Sequence, residues 1–177
     1  MLKKILSYGA IAGIIVGLPM FLMTVSLKGH PPAPWGMVIG YTTMLVALST
    51  VFIAVKRHRD AELGGVIKFW PAFGLGLGIS IVAGILYVLT WEAAQAVSGI
   101  DFAGDYSREL IEAQKAKGIG GAELARFTAE MEAFRTNYAN PLWRLPMTFA
   151  EIFPVGILVS LVSAALLRNS RFLPARR

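Results

Sequence analysis

The stretch TFAEIFPVGI, residues 148 to 157, puts a carboxylate, Glu151, just before a proline, Pro154, in an otherwise apolar run. An ionised carboxylate in hydrocarbon is costly, so Glu151 is expected to face other helices, to hold a proton or to pair. Such a group is a candidate proton or cation site. Counted along a helix, Glu151 lies roughly 9 Å past Leu145. At that depth the other apolar runs supply hydroxyls from Thr24, Ser26, Tyr41, Thr42, Thr43, Tyr87 and Thr90. Glu151, Tyr41 and Tyr87 form the candidate polar site, with Arg144 as a candidate cation if the chain bends there. Pro154 lacks an amide donor and crowds the carbonyl of Ala150, so the helix either kinks within a span containing Glu151 or begins close to it. In the second case the carboxylate would sit at the positive end of the helix dipole. The helix left from Ile152 to Leu167 would then measure about 24 Å, short of a hydrocarbon layer of roughly 30 Å.

Other chemistry is poorly supplied. The chain has 0 cysteines, which excludes disulfides, thiol catalysis and thiolate metal sites. Its histidines, His30 and His58, lie in different connecting segments, and no metal site or cofactor is expected. GLGLGI, residues 74 to 79, has the glycines of a dinucleotide fingerprint, but it lies in a long apolar stretch with no strand before it. The basic run KRHRD, residues 56 to 60, could meet an anionic lipid or a nucleotide phosphate. Short cytoplasmic loops are enriched in Lys and Arg in any case, which is explanation enough for this one. No paired acids, activated nucleophile or Walker spacing appears, so an enzyme is not expected.

The elements that must position Glu151 are legible from composition. Of 177 residues, 55% are hydrophobic and 16% charged, against roughly 25% charged in ordinary soluble domains. Four runs are long and apolar enough to cross a bilayer as helices: 5–27, 36–55, 69–91 and 145–167. The first follows Lys3 and Lys4, is longer than a signal-peptide core and lacks a convincing cleavage site, so it reads as a retained anchor. Ten basic residues flank one side of the spans: Lys3, Lys4, Lys56, Arg57, Arg59, Lys68, Arg168, Arg171, Arg176 and Arg177. The short loop on the other side has only Lys28, and segment 92–144 balances six basic residues with eight acids. Both termini are therefore expected in the cytoplasm, with 92–144 outside.

That outer segment carries two helical patterns. DYSRELIEAQKAKG has acids early, lysines late and Gly118 just past its end, which suits the helix dipole and a glycine cap. AELARFTAEMEAFRTNY lays Leu124, Phe127, Met131 and Phe134 along one stripe. The stripe folds onto the bundle or membrane surface, or docks a partner. Asn140 and Pro141 stop this helix. Within the spans, Gly9, Gly13 and Gly17, then Gly76 and Gly84, then Gly156, sit in small-residue rows that let helices approach closely, here read as contacts within the bundle.

Gly40 and Tyr41, the Lys56 to Asp60 stretch with Gly64 and Gly65, the Tyr87 to Glu92 end of the third span, Asn140 and Pro141, and the Glu151 to Gly156 segment together give a resemblance. Over nearly its whole length the chain resembles a bacterial family of small four-span membrane proteins classed as a domain of unknown function. The resemblance implies four helices and an inner-membrane location, and it brings no activity, substrate or catalytic residues.

The expectation is therefore an all-α integral membrane protein, a single membrane domain over 1–177 with a helical extracytoplasmic insertion at 92–144. Its location is the bacterial inner membrane, multi-pass, with the bilayer as partner. Function is read as a non-enzymatic membrane component acting through helix packing or partner contact, with a second copy or another membrane protein as protein partner and no nucleic acid. The alternative is a small oligomeric transporter that uses Glu151 as a proton or cation site.

Overall fold

The computed structural model describes residues 1–26 and 35–175, and over them the protein is all-helical. The helices are α1 (Leu2–Ser26), α2 (Trp35–Glu62), α3 (Phe69–Ser98), α4 (Phe102–Ala116), α5 (Gly121–Tyr138) and α6 (Pro141–Leu167). The expected loop with Lys28 and His30, and the terminal Arg176 and Arg177, lie outside the described residues.

Four helices, α1, α2, α3 and α6, are long and apolar enough to cross a membrane. Their outward faces carry Ile14, Leu18, Leu45, Val46, Ile85, Leu89, Leu158 and Val162 as exposed residues. A surface of large aliphatics on every long helix is what a lipid solvent permits and water does not. At one end of α3, Phe69, Trp70 and Phe73 cluster with ring centroids 5.2 to 6.2 Å apart. Trp91 stands 21 residues further along the same helix, about 32 Å away, so the two aromatic groups bracket one hydrocarbon thickness.

Packing inside the bundle follows the small residues. α1 lies mainly on α3, α3 on α6, α2 on α6 and α1 on α2, so the four spans close into a ring. A Cβ added at Gly9 would stand 2.5 Å from the Cβ of Val82, at Gly13 2.7 Å from that of Leu86, and at Gly17 2.8 Å from the Oγ1 of Thr90. Three glycines four residues apart thus receive three α3 side chains at the same interval. Across α3 and α6, Ser80 and Ser160 hydroxyls meet at 3.3 Å beside Gly76 and Gly156. The Ser160 hydroxyl also donates to the Gly156 carbonyl at 2.7 Å, keeping this polar pair satisfied in an apolar core.

Two boundaries differ from expectation. The basic run is not a loop: α2 continues through Lys56 to Glu62, with ion pairs Lys56–Asp60 and His58–Glu62 at i,i+4 spacing on its flank. Gly64 and Gly65 then turn the chain, both at positive φ. At the other end α6 starts at Pro141 instead of near Leu145. Asn140 caps it by accepting from the amide of Leu142 at 3.0 Å, and Pro141 occupies the first turn, where a missing amide costs nothing. Asn-Pro therefore ends α5 and begins α6 in one step. Glu151 consequently sits ten residues inside a helix that runs through both Pro146 and Pro154, not at a helix start.

Between the third and fourth long helices the chain folds as the pair α4 and α5, packed against each other. Asp101 caps α4 by accepting from the amide of Gly104 at 3.0 Å, and a side chain at Gly104 would collide with that carboxylate.

Candidate functional site

Every helix contributes to a cavity of about 430 Å³ at the end of the bundle beneath α4 and α5. From the spans come Met20, Met23 and Thr24 of α1, Gly40, Thr43 and Met44 of α2, Tyr87 and Trp91 of α3, and Met147, Thr148 and Glu151 of α6. The roof is aromatic, made by Phe102 and Tyr106 of α4 and Phe134 and Tyr138 of α5.

Glu151 and Tyr87 come together here. The tyrosine hydroxyl donates to the Glu151 carboxylate at 3.2 Å, and Tyr87 itself is buried at 7% exposure. Met147, Thr148 and Glu151 share one face of α6 because they stand at i, i+1 and i+4. Glu151 remains exposed although helices crowd it, the condition of a group on the wall of an open cavity. Pro154, three residues on, leaves the Ala150 carbonyl without its usual amide partner beside this carboxylate.

Tyr41, the third member of the expected site, is 48% exposed and does not line the cavity, although its neighbours Gly40 and Thr43 do. Depth along the helix matched, but rotation about its axis did not. Arg144 does not serve Glu151 either. Its guanidinium grips Glu92 through Nε at 2.7 Å and Nη2 at 2.5 Å, and Nη1 donates to the Tyr138 carbonyl at 3.2 Å. This bidentate pair ties the end of α3 to the start of α6 beside the cavity. The signal for it was a lone acid, Glu92, one residue past the third apolar run.

The aromatic roof is a continuous set. Phe102 stacks on Tyr106 at 5.7 Å and meets Trp91 edge-on at 5.1 Å, and Phe134 lies 5.5 Å from Tyr138 and 5.9 Å from Tyr106. The Trp91 indole donates to the Tyr138 hydroxyl at 2.8 Å, so the polar tips of these two rings satisfy one another. Burial pushes the Tyr138 hydroxyl above its ordinary pKa, which keeps it neutral and a hydrogen-bonding group.

The stripe on α5 is half-buried at Leu124, Phe127, Met131 and Phe134. Phe134 belongs to the cavity roof, and the Met131 carbonyl accepts from Ser107 of α4 at 3.4 Å. Gly84 receives Phe149 of α6, where an added Cβ would stand 2.7 Å from the ring.

A second polar cluster, at the opposite end, was missed as a structural unit. Arg59 is fully buried and donates to the carbonyls of Phe172 at 2.9 Å and Leu173 at 2.5 Å, and to Asp60 at 2.6 Å. Beside it Lys4 pairs with Glu62 and lies 2.8 Å from the Nδ1 of His58. These contacts gather the start of α1, the end of α2 and the C-terminal tail at one end. The i,i+4 acids opposite Lys56 and His58 were the sequence signal that this segment is helical.

The family described as Protein of unknown function (DUF4199) matches residues 7–169 of the chain. No curated protein and no solved structure matches it.

Proposed function

Since the chain belongs to the DUF4199 family, a description that assigns no activity, we propose a function from the cavity itself. The protein is a non-enzymatic membrane component whose working part is the cavity under α4 and α5, with Glu151 as its proton or cation site. The observation that carries this reading is the Tyr87 hydroxyl donating to Glu151 at 3.2 Å inside an open space of about 430 Å³. A volume of that size falls in the range of small-molecule pockets, which are mostly apolar with a few placed polar groups. An ionisable residue in a membrane span is costly to keep and marks a pathway or binding site by default. Its accessible position allows exchange of a proton or cation, and the Tyr87 hydroxyl holds the carboxylate at the cavity wall by a hydrogen bond.

In this reading the protein lies in the bacterial inner membrane with both termini cytoplasmic, and the cavity opens toward the extracytoplasmic side. The basic residues collected at the end opposite the cavity support that orientation. As a transporter it would act as an oligomer, a second copy completing the path that one small bundle leaves one-sided.

Infrared difference spectroscopy of the full chain in lipid tests the central point. A carboxyl band should titrate with the outside pH, vanish in Glu151→Gln and move in Tyr87→Phe, which loses the donated bond. A spectrum that stays constant with pH, or one identical in Glu151→Gln, sinks the proposal.

A further inference from the structure

We propose that the cavity binds a lipophilic organic monocation, a substituted ammonium or phosphonium, with its positive centre beside Glu151 and its apolar body against the roof. This rests on the reading of Glu151 as a cation site and deepens it by naming the class of ligand.

The charge balance is the first argument. Among the described residues lining the cavity, Glu151 is the one carboxylate, and no Lys, Arg or His joins it. Arg144, on the same helix, is committed to Glu92 and to the Tyr138 carbonyl. In its ionised form Glu151 gives the described lining one negative charge, which a single positive ligand would complement.

The donor set argues against a bare metal ion. A hard cation such as Ca²⁺ asks for six to eight oxygen ligands, at close range. Besides the Glu151 carboxylate, the side-chain oxygens of the lining are neutral hydroxyls, those of Thr24, Thr43, Tyr87, Tyr106, Tyr138 and Thr148, spread one to each helix around the cavity. No group of three or more His, Cys, Asp or Glu residues gathers among the described residues. A cation whose charge is shielded by carbon needs no such shell.

The wall chemistry is the third argument. Aromatic rings attract a cation through their π faces, most strongly where water is excluded, and quaternary ammonium groups are recognised in this way. Trp91, whose N–H is spent on Tyr138, contributes carbon surface to the wall rather than an unpaired donor. Methionines on α1, α2 and α6 add polarizable, adaptable surface, the kind that accepts ligands of varied shape. One fixed charge with a soft wall selects for charge sign and hydrophobic body, and only loosely for shape.

Tetraphenylphosphonium and tetraphenylborate, nearly the same shape with opposite charge, separate these terms. With the full chain in lipid nanodiscs, calorimetry should show saturable binding of tetraphenylphosphonium and none of tetraphenylborate beyond empty nanodiscs. Glu151→Gln should weaken the phosphonium by on the order of thirtyfold or more. Phe134→Leu, which keeps an apolar roof but removes a ring, should weaken it severalfold while Glu151 keeps its infrared carboxyl band. Equal binding of both ions, or phosphonium binding unchanged in Glu151→Gln, overturns the proposal. A titrating Glu151 band with no phosphonium binding also overturns it, while leaving Glu151 as a proton site intact. Circular dichroism of each variant separates a lost site from a lost fold, and if Glu151→Gln unfolds, the unsubstituted protein serves the same comparison: phosphonium binding should fall as pH is lowered through the infrared titration of Glu151, and binding that persists overturns the proposal.

Discussion

At the scale of single residues, the two ends of the bundle use charge in opposite ways. Glu151 is left with a hydroxyl partner and open space, whereas Arg59 is saturated. Its guanidinium caps tail carbonyls that no helix amide reaches, and because Arg59 itself is fully buried its charge relies on these bonds and on Asp60. Arg59→Leu should therefore lower stability by about 2 to 4 kcal/mol, since the carbonyls of Phe172 and Leu173 lose their donor while the carboxylate of Asp60 is left with Lys56 alone. Limited trypsin digestion gives the local readout: cleavage after Arg168 and Arg171 should accelerate strongly in the variant. An unchanged rate, with an unchanged melting temperature, would mean that the tail is held by other contacts. The difference in legibility between these residues has a physical cause. Glu151 stands out because a carboxylate in an apolar run contrasts with its neighbours, while Arg59 is one basic residue among four in KRHR and differs only by a contact more than a hundred positions away. Tyr41 shows the limit of depth counting. Rise along the axis follows from residue number, but which tyrosine turns toward the carboxylate depends on how the helices pack.

At the scale of elements, the glycine rows decide which helices touch. α1 lies on α3 because Val82, Leu86 and Thr90 enter the spaces left by Gly9, Gly13 and Gly17. Gly13→Leu should force the pair apart and cost about 1 to 3 kcal/mol or more, seen as a lower melting temperature in detergent. Gly74→Ala is the matched control, since a Cβ there meets nothing within 4 Å. It should be neutral or stabilise α3 by up to about 1 kcal/mol through helix propensity. Equal effects of the two substitutions would remove close approach as the explanation. The four spans were readable because an unbroken apolar run of bilayer length has few other fates. The ends were not, because hydrophobicity marks the membrane and not the hydrogen-bond ladder. α3 continues seven residues beyond Trp91 until Gly99, whose positive φ closes it and whose amide bonds the Gln95 carbonyl at 2.9 Å. α2 continues through charges because those charges pair along its own surface.

At the scale of the whole molecule, the cavity and the basic cluster lie at opposite ends, so the direction of insertion decides which solution Glu151 meets. Lys3, Lys4, Lys56, Arg57, Lys68, Arg168 and Arg171 flank the end away from the cavity, while α4 and α5 carry acids in near balance with bases. That Lys4 and Lys56 are paired in the folded protein does not weaken the argument, because orientation is set by the flanking charge as segments insert, before these pairs exist. The absence of cysteine from the sequence makes the test clean. Single cysteines at two exposed positions, Glu112→Cys in α4 and Ser170→Cys in the tail, report the two sides separately. In intact bacterial cells a membrane-impermeant maleimide should label the first and not the second, and after lysis both should react. Labelling of Ser170→Cys alone in intact cells would invert the topology. It would place Glu151 in contact with the cytoplasm, so that a cation captured there would come from inside the cell.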